Sequence, residues 1–241
     1  MKAAERQRMF GKAGVKCYEA DATWRTPATD YKLGKVGIAE LRRSHYKRGV
    51  YVMEGVLGYP VFLVSSPIPV TTLYIRGNQW MVDDPLHWLG MKSIANASSG
   101  RVLVIGLGLG LLVHALGANQ DIRHVTVVEQ ERDVISLIKP LLTGVSGGTD
   151  DRYWLKIVKA DFWSLKSFDE YETIILDIWT TSEHSRGAAA LQMQAALGLL
   201  KDNDYKGKTF IWGTRDPKLN PAIKPMSKES QRYLGLITEA M

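Results

Sequence analysis

Short runs of β-branched and aromatic residues at 50–56, 59–65 and 70–75 are separated by Leu57-Gly58 and by the Ser66-Pro67-Ile68-Pro69 break. Runs of this length, bounded by glycine and proline, predict an antiparallel sheet of three or four short strands, with 79–82 as the fourth. A helix is expected next. Asp84 stands as its N-cap and Pro85 at its first position, where the missing N–H costs nothing. Leu86, Leu89, Ile94 and Ala97 form its apolar stripe, and Ser98-Ser99-Gly100 ends it.

From 101 onward strands and helices alternate. The aliphatic run at 101–105 predicts a strand covered on both faces, as in a parallel sheet. A helix over 109–116, a strand over 124–128, a helix over 132–142 and a strand over 155–158 follow, with a polar loop at 143–152. Further strands fall at 173–176 and 209–212, with helices over roughly 186–200 and 228–240. This alternation predicts an α/β fold: a doubly wound, mainly parallel, Rossmann-like sheet behind a small N-terminal antiparallel β subdomain. The expected division is a basic segment (1–48), the β subdomain (49–84) and a Rossmann-like cofactor-binding domain (85–241). The first 45 residues carry weak signals, and the loose polar pattern at 38–46 suggests a short helix.

Composition narrows the classes. A chain of 241 residues, 45% hydrophobic, can bury a sizeable core. No apolar run reaches the roughly 18 residues of a membrane span. The basic first residues lead into no apolar signal core, so a cytoplasmic protein without membrane contact is expected. Cys17 is the single cysteine, which excludes an internal disulfide and a multi-cysteine zinc site. His45, His87, His114, His124 and His184 show no ligand spacing, and no metal is expected. The net charge of +6 is uneven: residues 1–50 hold twelve Lys/Arg against five Asp/Glu, and the remainder is close to neutral. Such a segment, densest at Arg42, Arg43, His45, Lys47 and Arg48, could steer nucleic acid; the plainer alternative is a solvated leader that packs little.

Candidate chemistry begins at Gly106, Gly108 and Gly110, directly after the first parallel strand. Glycines there permit strained dihedrals and close approach of a ligand to the backbone. The dinucleotide fingerprint needs glycines at relative positions 1, 3 and 6; Leu111 or Val113 stands at position 6, so the fingerprint is incomplete. A P-loop ending is missing as well. A tight strand-to-helix connection remains the alternative. Three acids then fall at successive strand ends: Glu129, Asp161 (with Phe162 and Trp163 beside it) and Asp177. A carboxylate at the second strand end can accept ribose hydroxyls, and one beside an aromatic ring suits adenine. Each acid alone could be a cap; together, beside the glycines, they predict a nucleotide-type cofactor in the crevice.

These residues resemble the class I S-adenosylmethionine-dependent methyltransferases, over about residues 50–213, and the layout is similar to the spermidine synthase branch. The resemblance implies S-adenosyl-L-methionine as cofactor, with Gly106, Gly108 and Gly110 passing its methionine part, Glu129 on the ribose, and Asp161 with Phe162 on adenine. It also implies a cofactor-side role for Asp84, and for Asp177 the binding or deprotonation of the attacking group. Departures from the polyamine synthases are concrete. Leu109 stands where their loop carries an aspartate, and Asp177-Ile178-Trp179-Thr180-Thr181 replaces their Asp-x-x-Asp-Pro. Methyl transfer to an unknown acceptor is therefore the leading expectation. Aminopropyl transfer, or a non-catalytic binding protein retaining the fold, are the alternatives. Expected partners are a small-molecule or polyamine-like acceptor, nucleic acid through the basic segment, and a second copy in a homodimer. Trp179 is read equally as pocket wall or core, His114 as structural, and His184 as a loop residue with a second reading as substrate contact.

Overall fold

The computed structural model describes residues 16–52, 60–142, 154–179 and 186–214, together with Arg8, Gly11, Val145, Asp216, 218–221, Lys228 and Arg232. Residues 53–56, His184, most of the 143–152 loop and most of the expected terminal helix lie outside the described residues.

Three sheets form. Strands β1 (Lys16–Ala20), β4 (Gly49–Val52) and β5 (Pro60–Val64) make one, with β1 and β5 parallel. Strands β2 (Gly34–Val36), β3 (Ala39–Tyr46), β6 (Ile68–Ile75) and β7 (Asn78–Val82) make an antiparallel second, in the order β2-β3-β6-β7. The small antiparallel sheet expected from sequence is this second one, but the runs at 50–56 and 59–65 fall, where described, in the first, and the expected helix at 38–46 is strand β3. It pairs residue for residue with β6, Ala39 opposite Ile75 through Tyr46 opposite Ile68. Ala39 and Leu41 are buried while Glu40 and Arg42 face outward, a period of two that polar residues on the open face disguise. Nor is the described part of the basic segment a loosely packed leader, since Ala28, Tyr31, Ala39 and Leu41 lie in the main core.

The third sheet is parallel: β8 (Gly100–Ile105), β9 (Ile122–Glu129), β10 (Leu155–Lys159), β11 (Thr173–Leu176) and β12 (Lys208–Ile211), in the order β10-β9-β8-β11-β12. Chain order reverses between β8 and β11, which makes their carboxyl ends a topological switch point. Alternation along β8 divides two cores. Val102 and Val104 pack with α1 (Pro85–Ala97), α2 (Leu111–Gly117) and α3 (Arg132–Ile138), together with Leu41 and Leu73 of the antiparallel sheet. Leu103 and Ile105 pack with Ala189, Ala196 and Leu200 of α4 (Arg186–Asp202) and with Phe162 and Phe168. Helices therefore cover both faces, the doubly wound, Rossmann-like arrangement.

Local chemistry sets the element ends. Asp84 caps α1, its Oδ1 accepting the Leu86 and His87 N–H groups at 2.9 and 3.0 Å. Helix α2 starts at Leu111 rather than 109, because Gly108 (φ 51°) and Gly110 (φ 71°) lie in the left-handed region. Helix α3 gives way to a 3-10 turn over Lys139–Leu142, since Pro140 removes an N–H and its ring crowds the carbonyl four residues back.

Candidate functional site

A cavity of about 240 Å³ opens at the carboxyl ends of β8, β9, β10 and β11. Its floor holds Gly106, Gly108, Glu129, Asp161, Phe162 and Asp177. The acids foreseen at three successive strand ends therefore share one crevice with the glycine turn. Gly110 and Asp84 do not line it. Gly110 packs against Leu142, and the Asp84 carboxylate is engaged as the α1 cap.

The glycine turn is shaped by protein contacts. Gly106 has φ 98°, and a Cβ there would fall on the Asp177 carbonyl. Strands β8 and β11 meet at this point, where the Asp177 N–H also donates to Ile105 O at 2.8 Å. A Cβ at Gly108 would strike the Met81 thioether from β7. Behind the turn, the Tyr31 hydroxyl donates to Leu109 O at 3.1 Å and lies 2.9 Å from His114 Nε2. His114 is thus a structural partner, and burial keeps its basicity below the usual histidine range.

Glu129 bridges two segments. Its Oε2 accepts the Leu107 N–H at 2.9 Å and its Oε1 the Glu131 N–H at 2.8 Å. Each carboxylate oxygen has a second lone pair, so acceptor capacity remains for a ligand hydroxyl. Asp161 caps a short 3-10 turn, accepting the Trp163 N–H at 3.1 Å, and Phe162 is buried beside it. Burial, with the Glu129 charge adding to it, pushes the Asp177 carboxyl up to about 7. That brings this carboxyl at a strand end close to neutrality.

Sequence reasoning missed the roof. Leu73, Ile75, Arg76 and Trp80 come from the β6–β7 hairpin of the antiparallel sheet and line the same cavity. Arg76 (φ 52°) and Gly77 (φ 78°) form its turn, and Arg76 Nη1 pairs with Glu131 Oε1 at 3.1 Å. The Arg76-Gly77-Asn78 signal marks a hairpin, but not that it folds over strand ends about 30 to 100 residues further along the chain. Trp163 (43% exposed) and Trp80 (39%) leave aromatic faces open on the cavity. Trp179 does not line it; it is buried and its Nε1 donates to Trp212 O at 2.7 Å, so it is core.

Among the described residues no group of His, Cys, Asp and Glu is arranged to hold a metal ion, and no helix is long and apolar enough to cross a membrane. No protein-family model matches the chain, and no curated protein matches it in sequence. Among solved structures it is similar to spermidine synthase from Thermotoga maritima, at 18% identity over 62% of this chain and 48% of that one, TM-score 0.37. It is similar to a spermidine synthase in complex with the transition-state analogue AdoDATO, at 17% over 63% and 47%, TM-score 0.38. An S-adenosylmethionine-dependent methyltransferase from Clostridium acetobutylicum is similar at 13% over 40% and 36%, TM-score 0.29. The chain spans about half the length of those two spermidine synthases.

Proposed function

We propose that the crevice binds an adenosyl sulfonium donor of the S-adenosyl-L-methionine kind and that the chain is a transferase moving an alkyl group to a nucleophilic acceptor. The observation that carries this reading is the convergence of Glu129, Asp161 with Phe162, and Asp177 around one glycine turn at a switch point. The residues fit the group. Glu129 has free lone pairs for ribose hydroxyls, and Phe162 and Trp163 offer aromatic surface beside the Asp161 carboxylate for adenine. A cavity of about 240 Å³ is small for an extended dinucleotide and suits a nucleoside. When bound, the donor supplies an electrophilic carbon next to positive sulfur. The protein orients the acceptor in line with that carbon, excludes water, and accepts a proton where the acceptor carries one. Asp177, near neutral in its proton affinity, serves that last role.

Methyl is the transferred group on the broader reading. Aminopropyl transfer is the second, favoured by the density of carboxylates in the wall, Glu129, Glu131, Asp161 and Asp177, which suits a cationic amine. Calorimetric titration with S-adenosyl-L-methionine, its decarboxylated form and NAD tests the donor class. Tighter binding of NAD than of either sulfonium would remove the proposal.

A further inference from the structure

Leu109 stands between Gly108 (φ 51°) and Gly110 (φ 71°), so each peptide unit that meets at it borders a glycine and can turn over at small steric cost. Hydrogen bonds therefore decide which way these units face. In the Leu109–Gly110 unit the Gly110 N–H donates to Leu107 O at 2.8 Å, and the Leu109 carbonyl accepts the Tyr31 hydroxyl at 3.1 Å. Helix α2 begins past this carbonyl, and its bond back to the turn runs from the His114 N–H to Gly110 O at 3.1 Å. Leu109 is fully buried, while Gly108 beside it lines the crevice. A buried carbonyl that lost its donor would gain by turning toward the solvent there.

Tyr31, 78 residues earlier, reaches this carbonyl from a fixed base. It is buried and follows a 3-10 turn over Pro27–Asp30. Its own carbonyl accepts Arg43 Nη2 at 3.1 Å, and Arg43 Nη1 donates to Thr29 O. Thr71 Oγ1 donates to Ala28 O at 2.6 Å, and Thr26 Oγ1 to the buried Asp83 carboxylate at 2.5 Å. These bonds fasten the 3-10 turn to the antiparallel sheet. The Tyr31 hydroxyl also lies 2.9 Å from His114 Nε2, on α2. A phenol has one proton to give. Spent on Leu109 O, it leaves the second bond to be donated by the ring, so His114 carries its hydrogen on Nε2.

We propose that Tyr31 is a positioning residue for the crevice: through the Leu109 carbonyl it holds the glycine turn in the arrangement that receives the ligand, with Nε2-protonated His114 as its second anchor. The proposal rests on reading the crevice as a sulfonium-donor site. Its test titrates S-adenosyl-L-methionine calorimetrically into the wild-type chain, Tyr31→Phe and a control, Thr173→Val. Thr173 Oγ1 donates to Ser99 O at 2.9 Å at the amino ends of β8 and β11, so the control loses a comparable buried bond away from the turn. Both variants should melt at lower temperature, but Tyr31→Phe should weaken binding by about fivefold or more while Thr173→Val stays within about twofold. Nitrogen-15 NMR should show His114 as the Nε2–H tautomer in the wild type and as a mixture in Tyr31→Phe. If Tyr31→Phe fails to fold, the second anchor carries the test. His114→Leu should weaken binding by about threefold, and His114→Gln, which keeps an N–H donor near the same point, should restore most of it. Wild-type affinity in Tyr31→Phe, an equal loss in Thr173→Val, or no rescue by His114→Gln overturns the positioning role. So does an Nδ1–H tautomer in the wild type, which would draw the Tyr31 proton to His114 and leave Leu109 O without it. A wild-type chain that binds no S-adenosyl-L-methionine would instead remove the donor reading, and the positioning role with it.

Discussion

Glu129 accepts the backbone N–H of Leu107 at 2.9 Å, so the acid ending β9 holds the glycine turn that follows β8. With the Glu131 N–H on its other oxygen, one carboxylate fixes the floor of the crevice before any ligand arrives.

Replacing Glu129 should therefore have two separable effects. Glu129→Ala should lower folding stability by about 1–2 kcal/mol, because two partly buried N–H groups lose a charged acceptor. On the proposed function it should also weaken nucleoside binding by about 1–3 kcal/mol, because it removes the carboxylate proposed to hold the ribose. Glu129→Gln keeps one carbonyl acceptor and should recover part of the stability but little of the binding. Urea denaturation and calorimetric titration separate the two. An unchanged dissociation constant in the Ala variant would falsify the ribose role.

Gly106 is constrained from two sides, by φ 98° and by the Asp177 carbonyl. Gly106→Ala should cost more than about 2 kcal/mol, the left-handed strain adding to a clash with backbone that cannot swing aside. Gly198 in the middle of α4 meets nothing within 4 Å. There the same substitution should stabilise by about 0.5–1 kcal/mol. Thermal melts of the two variants should move in opposite directions; a shared direction would show that the turn is not under the stated constraint.

Tyr31 ties the N-terminal part of the chain to the glycine turn through Leu109 O and His114 Nε2. Burial, with the Asp83 charge adding to it, holds its hydroxyl proton well above the usual phenol range, so it remains a donor at any ordinary pH. Tyr31→Phe keeps the ring and removes the hydroxyl. It should destabilise by about 0.5–1.5 kcal/mol, readable by urea denaturation. A loss below about 0.3 kcal/mol would mean that the tie contributes nothing to the fold.

The parallel sheet was legible because its strands are buried on both faces and read as unbroken aliphatic runs, with glycines or acids at their ends. The Asp84-Pro85 cap was legible because cap chemistry is local. Strand β3 was not, since Arg43 and His45 take the places on its inner face after Ala39 and Leu41, and its partner β6 lies some 30 residues on. The roof escaped for the same reason. Nothing local to Arg76 or Trp80 states that their hairpin covers the ends of β8–β11; that follows from Leu41 and Leu73 sharing a core with Val102 and Val104. Met81 was hidden more deeply, because only a bulge, invisible in the alternation of Asn78–Val82, turns it onto Gly108.

Asp177 carries the sharpest expectation, because its two states have opposite consequences. Burial and the Glu129 charge raise its carboxyl from an ordinary 3.8 to about 7. An acid with a higher value in the folded state holds its proton more tightly there, so between about pH 4 and 7 the native chain carries more protons than the unfolded one. Its contribution to stability therefore falls as pH rises through that window and levels off above it. Asp83 and Asp84, both raised to about 6 by burial, act in the same direction, and His87, kept neutral by burial down to about 4, acts against them. Asp177→Asn removes only the first contribution. The variant should gain on the wild type as pH rises from 4 to 7, by on the order of 1 kcal/mol after allowing for partial exposure, with no further gain above 7. A carboxylate in that state is also matched to taking a proton near neutrality, which an amide cannot do. On the proposed function, the same variant should keep donor affinity within a few-fold and lose about 10²-fold or more in turnover with an acceptor that must be deprotonated. A bound sulfonium favours the charged carboxylate, so wild-type donor binding near pH 7 should release a proton, seen as a buffer-dependent binding enthalpy that disappears in the variant. Retained turnover with no proton release would leave Asp177 as the residue whose backbone seats Gly106, and nothing more.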